Sequence, residues 1–218
     1  MSLALAGPVP ARLIERYGLD TRWYGRHIDA WGLPVLAPHH IADDTLVRLR
    51  EQLGALLRID PSPVPELDRR DVRLVVVGRD EPVSAVPEVR AVFGTGLDRR
   101  CHSGFGATDA FPLAVATEGA LVHEFGRTLY RMALRHIAPA VGAELATAYE
   151  SANRLGLWLN TAAGAGVEEY FTEGLQTWFD ASRPGPVGGD GIHNQVHTRA
   201  RLRAYDRPLY RLFHRLYL

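Results

Sequence analysis

The residues of this chain that are best suited to chemistry form a five-residue string, His123-Glu124-Phe125-Gly126-Arg127. Residues four apart on a helix lie on the same face, so H-E-x-x-H can give one metal two imidazoles while its glutamate activates a bound water. Here Arg127 stands in the last position, and its guanidinium stays protonated and presents only donors. The string alone has little specificity, because a solvated helix face can produce it by chance.

A second string, Glu169-Tyr170-Phe171-Thr172-Glu173, places two carboxylates on one predicted helix face. An i,i+4 pair of like charges destabilises an isolated helix by roughly 0.2–0.5 kcal/mol. We therefore expect a cation opposite Glu169 and Glu173. About 45 residues separate the two strings, a spacing also used by peptidases whose third zinc ligand is a glutamate.

Together the two strings resemble the active-site helices of glutamate-liganded (gluzincin-like) members of the zincin metallopeptidase superfamily. In that group the first helix reads HEFxH and the later helix reads EYFAEGxQ. The tail Ala204-Tyr205-Asp206-Arg207-Pro208-Leu209-Tyr210 is a third specific match. Weaker likeness extends over residues 23–35, 73–88 and 193–199, so the resemblance covers most of the chain and implies a zincin-like fold.

The resemblance also implies roles for individual residues. It makes His123 the first metal ligand, Glu124 the general base, Glu169 the carboxylate ligand and Glu173 a carboxylate that orients a ligand histidine. Besides Arg127, two positions depart from the group's pattern: Ala162 replaces a tyrosine, and His197 replaces an asparagine in the tail. We predict His197 and Tyr170 as substrate-binding residues.

The departure with the largest chemical consequence is Arg127, which stands where the second histidine ligand is expected. We predict that its guanidinium replaces the metal by bridging the carboxylates of Glu124, Glu169 and Glu173. No metal or other cofactor is then favoured. The alternative is a rebuilt zinc site that keeps His123 and Glu169 and recruits one further histidine. The candidates for that third ligand are His197, His193 and His102.

The elements that must position these residues follow from hydrophobic periodicity. Leucines at helical spacing predict a helix over residues 42–59, and a β-branched run predicts a buried strand over residues 72–77. Two further helices, over residues 117–136 and 167–179, carry the chemical strings, each with an apolar stripe and a polar face. The remaining predictions are an irregular lead-in over residues 8–40 with a short strand at 33–36, and a loop with a strand edge at 94–112.

These elements predict an α+β fold with a small mixed β-sheet packed on the active-site helix and a mainly helical C-terminal half. We expect one zincin-like domain over residues 1–218, because a chain of this size can bury one substantial core. Acidic and basic residues number 25 each, which argues against a nucleic-acid partner or an acidic membrane surface. The absence of lysine excludes Schiff-base chemistry on that residue.

The single Cys101 and the absence of a signal-peptide pattern or apolar span predict a cytoplasmic protein without a membrane partner. The sequence supports two main hypotheses about function. The first is an enzyme that reuses the zincin cleft for non-proteolytic chemistry on a small-molecule or peptide-derived substrate, with Glu124 as general acid or base. The second is a catalytically inactive pseudo-peptidase that binds a peptide or a protein. A metallohydrolase with the rebuilt zinc site is a further alternative.

Overall fold

The β-branched run at residues 72–77 forms the middle strand of a five-stranded mixed sheet in the computed structural model, which describes residues 5–218. The strands are β1 (Tyr24–Ala30), β2 (Leu33–Pro38), β3 (Arg73–Val76), β4 (Gly104–Phe105) and β5 (Leu113–Ala116). The sheet order is β1-β2-β3-β5-β4. The middle strand β3 pairs in parallel with β2 and β5, and the outer strands β1 and β4 are antiparallel to their neighbours. A strand covered on both faces needs a continuous apolar sequence, which β3 has after Arg73, from Leu74 to Val76.

The chain divides into two compact units. The N-terminal unit contains the sheet and consists of the residues up to Leu57 together with Val64–Phe125. Its helices are α1 (Ala11–Tyr17), α2 (Asp43–Leu56), α3 (Val64–Arg69) and α4 (Pro87–Phe93). Its core is aliphatic, with buried side chains from the sheet and from the segments around it. These include Leu13, Leu36, Val75, Val86, Val89, Leu113 and Val115.

The prediction for α2 is confirmed, because Leu46, Leu49, Leu53 and Leu56 lie on its buried side. The prediction of an irregular lead-in is wrong, since residues 8–40 contain both α1 and β1. The first strand escaped notice because its burial does not alternate and a register shift between Tyr24 and Arg26 interrupts its pairing.

The C-terminal unit consists of residues 58–63 and 126–218 and is mainly helical. Its long helices are α7 (Pro139–Arg154), α8 (Val167–Trp178) and α10 (Arg207–Tyr217). The shorter α9 (Arg199–Tyr205) lies between α8 and α10 in the sequence. Aromatic rings fill its core: Phe171 lies 5.3 Å from Phe213 and Trp178 lies 6.1 Å from Phe213, measured between ring centroids. The fold class is therefore the predicted α+β arrangement, with a mixed sheet and a mainly helical C-terminal half.

The helix predicted over residues 117–136 is confirmed in position but not in regularity. It consists of α5 (Leu121–Leu129), a π-helical turn at Tyr130–Leu134 and the short α6 (Arg135–Ile137). The predicted stripe of Leu121, Phe125, Leu129 and Met132 is buried. π-Helical turns occur mostly as single insertions in α-helices and often at functional sites, and this one follows directly after the first chemical string.

The polar face predicted for α8 needs correction. Every residue from Tyr170 to Trp178 is buried, including Glu173 and Gln176. The helix lies inside the C-terminal unit, so its carboxylate at position 173 does not face open solvent. Within residues 5–218, no helix has both the length and the apolar character that crossing a membrane requires.

Candidate functional site

Gly126, the residue after Phe125, packs closely against helix α8. A Cβ added at Gly126 would lie 3.0 Å from Leu175 Cδ2 and 3.6 Å from Thr172 Cγ2. The absence of a side chain at Gly126 therefore allows a close approach of the two backbones. The next residue, Arg127, is thereby brought within reach of the first turn of α8.

An ion pair joins Arg127 to α8. The Arg127 Nη2 atom lies 2.7 Å from Glu169 Oε1, and the two side chains are 28% and 23% exposed. Glu169 is the carboxylate that the resemblance assigns as a metal ligand. A charge-assisted contact at this distance, with both side chains largely screened from solvent, is stronger than an ordinary surface pair.

A second arginine–glutamate pair lies one turn further along. Arg131, in the π-helical turn, contacts Glu168 with two nitrogens; its Nε donates to Glu168 Oε2 at 3.0 Å, and its Nη2 donates to Glu168 Oε1. The sequence patterns above did not predict this pair. Two features could have indicated it: arginines four residues apart at 127 and 131, and adjacent glutamates at the start of α8.

Glu173 lies deeper than Glu169, and His193 approaches it. The Glu173 side chain is only 5% exposed, and His193 Nδ1 lies 3.5 Å from Glu173 Oε2. The loop around His193 is held by backbone contacts: the His193 amide donates to Asp190 Oδ1 at 2.8 Å, and Ala162 N donates to Ile192 O at 2.9 Å. Ala162, where the resembled group has a tyrosine, thus helps to fix the histidine loop.

The carboxylate of Glu173 raises the pKa of His193 above its ordinary value, and burial opposes this shift. Because the folded-state pKa is raised, the stabilising contribution of this pair is complete below the unfolded-state pKa. It declines as pH rises through the folded-state pKa.

We expect an NMR titration of His193 to give a pKa above about 6.5, and Glu173→Gln to lower that pKa because burial then acts without the carboxylate. An unchanged titration of His193 in Glu173→Gln would show that the carboxylate does not act on it.

Two predicted residues, His123 and Glu124, belong to the N-terminal unit. Both lie on α5, about one helical turn before Arg127. His123 is partly exposed, whereas Glu124 is buried, with 6% of its surface accessible. His102, a further candidate ligand, is exposed in the same unit.

The predicted substrate-binding role of Tyr170 is not supported by its placement. Tyr170 has no exposed surface, and its hydroxyl donates to Asp206 Oδ2 at 2.7 Å. Burial raises the pKa of this hydroxyl, so it remains a donor. His197 is partly buried, and its Nδ1 lies 3.1 Å from the carbonyl oxygen of Gln195.

The sequence analysis also missed Asp206, the acceptor for Tyr170. Asp206 is 1% exposed and also accepts from Trp158 Nε1 at 2.8 Å and from Leu209 N at 3.1 Å. The last contact caps α10. Asp206 therefore ties the middle of α8 to the segment at residue 158 and to the start of α10.

Arg127 departs from the ligand set of the zinc site that the resemblance implies. Such sites use three protein ligands and leave an open position for water. At the position of the second imidazole stands Arg127, whose charge repels a cation, and the carboxylate of Glu169 is ion-paired with that arginine. A metal at this place would have to compete with the guanidinium for the Glu169 carboxylate.

Comparisons with known proteins show the fold. No protein-family model matches the sequence, and no curated protein matches it significantly. Among solved structures, the chain is similar to the Pro-Pro endopeptidase PPEP-2 from Paenibacillus alvei, with a TM-score of 0.55 and 13% sequence identity. The likeness covers 83% of this chain and 95% of the endopeptidase chain. It supports a zincin-like fold, and at this identity it says nothing about activity.

Proposed function

We propose that this protein is a zincin-like enzyme that has lost the metal and acts non-proteolytically on a small or peptide-derived metabolite. The observation that carries the proposal is the 2.7 Å contact between Arg127 and Glu169. In the resembled group the corresponding positions belong to two metal ligands. A guanidinium can satisfy a carboxylate that a metal would otherwise neutralise, so the pair replaces the electrostatic role of the ion.

The carboxylates of the two helices argue that the site has been retained for a function. Burying a carboxylate is costly unless it is paired or hydrogen-bonded. Glu124 and Glu173 are both buried, yet neither has been replaced by an apolar residue. A fold that needed only stability would gain from apolar side chains of similar volume at such positions.

We assign the chemical step to Glu124, acting as general acid or base on a bound metabolite. General acid–base catalysis contributes typically about 10²–10⁴-fold to a rate. Arg127 and His123, one helical turn apart on α5, would orient the substrate or stabilise a developing negative charge. Glu169 would hold the Arg127 guanidinium in place, and Glu173 would hold His193.

Zinc content tests the metal-free part of this proposal. Protein purified without chelator should contain far less than one zinc per chain by inductively coupled plasma mass spectrometry. The guanidinium of Arg127 stays charged and is paired with Glu169, and both features oppose a cation at this place. Near-stoichiometric zinc would refute it and would support a rebuilt site with His123, Glu169 and a third histidine.

Turnover tests the catalytic part. The protein should be incubated with mixtures of dipeptides, N-acylated amino acids and cyclic dipeptides, and the products followed by mass spectrometry. Conversion by the parent protein and its loss in Glu124→Gln would support the proposal. Saturable binding of one of these compounds without conversion would instead favour an inactive pseudo-peptidase.

A further inference from the structure

A cavity in the N-terminal unit lies apart from the residues discussed above. It is bordered by α1, by the hairpin of β1 and β2, and by α3, and its volume is about 370 Å³. Pockets of roughly 300–1,000 Å³ are typical of small-ligand sites. The apolar part of its wall is formed by Leu13, Pro34, Val64 and Pro65.

The charged part of the wall contains two arginines and two aspartates, Arg12, Arg16, Asp29 and Asp68. Arg16 is already neutralised, since its Nη1 donates to Asp68 Oδ1 at 2.9 Å and its Nε donates to Asp71 Oδ1 at 3.0 Å. Arg12 and Asp29 are then the two wall charges that have no ion-pair partner among residues 5–218.

Arg12 and Asp29 each retain binding capacity. The Arg12 side chain is exposed and makes no hydrogen bond or ion pair with any of residues 5–218. Asp29 Oδ1 accepts from Gly32 N at 3.0 Å, while its Oδ2 accepts from no group in the described part of the chain. One open donor group and one open acceptor therefore border the same cavity.

His27, another residue of the cavity wall, gives independent support for a ligand. The residue is only 9% exposed, lines the cavity, and its Nε2 has no hydrogen-bond partner among residues 5–218. Burial lowers the pKa of His27; Asp29 raises it and Arg12 lowers it, so both charges act on the ring. A buried nitrogen without a partner is rare in folded proteins, and a ligand at this wall is one explanation.

We propose that this cavity binds a free α-amino acid with an aliphatic side chain. The carboxylate would pair with Arg12, the ammonium group with Asp29, and the side chain would lie against Leu13, Pro34 and Val64. A simple anion would face the uncompensated charge of Asp29, and a simple cation would face that of Arg12. Only a zwitterion meets both charges with opposite ones.

This inference is independent of the proposed catalytic site, because none of its residues takes part there. The test is isothermal titration calorimetry of the full-length protein with L-leucine, 4-methylpentanoate and 3-methylbutylamine. The second compound lacks the ammonium group and the third lacks the carboxylate. We expect saturable binding of L-leucine at millimolar concentrations and at least about tenfold weaker binding of the other two.

Two variants locate the site. Arg12→Gln and Asp29→Asn should each weaken L-leucine binding by at least about tenfold, and Asp29→Asn keeps an oxygen that can accept from Gly32 N. Arg99→Gln, at an exposed arginine outside the cavity, is the matched control and should bind like the parent. Circular dichroism checks that each variant is folded.

The proposal is overturned by three results: no saturable binding of L-leucine, equal binding of 4-methylpentanoate or 3-methylbutylamine, or unchanged binding in both folded variants. Equal binding of 4-methylpentanoate would identify a plain anion site, and equal binding of 3-methylbutylamine a plain cation site.

Discussion

Replacing Asp206 by alanine should lower the free energy of unfolding by at least about 3 kcal/mol. The change leaves the Tyr170 hydroxyl and the Trp158 indole nitrogen without their acceptor inside the protein. Each buried donor left unsatisfied costs about 1–3 kcal/mol. Loss of the cap on α10 adds about 1 kcal/mol.

Thermal or urea unfolding measures this effect, and two variants serve as controls. Thr198→Ala removes the side-chain cap of α9, whose Oγ1 accepts from Arg201 N, and should cost only about 1 kcal/mol. Tyr170→Phe removes one donor and keeps the acceptor, so its cost should lie near 1 kcal/mol as well. If Asp206→Ala is no more destabilising than Thr198→Ala, the hydrogen bonds of Asp206 do not hold α8 in place.

The regular elements that could be predicted are those whose burial is visible in local sequence. The leucine spacing of α2 and the β-branched run of β3 repeat at the period of their structures. By contrast, β1 contains Gly25 and Asp29, and a register shift between Tyr24 and Arg26 interrupts its pairing with β2, so its sequence lacks the periodicity of a strand. Its conformation depends on the hairpin that it forms with β2. Cross-strand pairing therefore determined what periodicity alone did not reveal.

The same limit applies to the candidate site. The like charges at Glu169 and Glu173 predicted a cation nearby, because i,i+4 positions share a helix face. The pairing of Arg131 with Glu168 lies at the π-helical turn Tyr130–Leu134, which interrupts the α-helical periodicity after α5. The residue types in this segment do not predict that turn. His193 reaches Glu173 from an irregular loop whose shape is set by its hydrogen bonds to residues 160–162.

Asp206 illustrates a further reason why local sequence predicts only part of the structure. The tail over residues 204–210 matches the resembled group, yet an aspartate before Arg207-Pro208 is equally typical of an exposed helix cap. It is indeed the cap of α10, but it is also the buried acceptor for two aromatic side chains. The second role depends on the long-range packing of Trp158 and Tyr170, which the local sequence does not encode.

The substitution Arg127→His tests whether the Arg127–Glu169 pair stands in place of a metal. Without added metal, the variant should be less stable than the parent by about 1–3 kcal/mol, because Glu169 loses its cation while about a quarter exposed. The new imidazole would lie one turn after His123 on α5, the spacing with which zincin helices bind zinc. Added zinc should therefore restore stability, by about 2.7 kcal/mol when free zinc is a hundred times the dissociation constant.

Melting curves with and without zinc measure both effects, and Arg131→His is the matched control. That variant also exchanges an arginine paired with a glutamate for histidine, but one turn away from the zincin ligand position. It should lose stability and gain nothing from zinc, which separates a specific site from the general affinity of histidine for metals. Adding Glu169→Gln to Arg127→His should abolish the zinc effect, since the carboxylate ligand is gone. Equal responses of Arg127→His and Arg131→His to zinc would mean that position 127 is not a former ligand position, and the proposed origin of the site would be wrong.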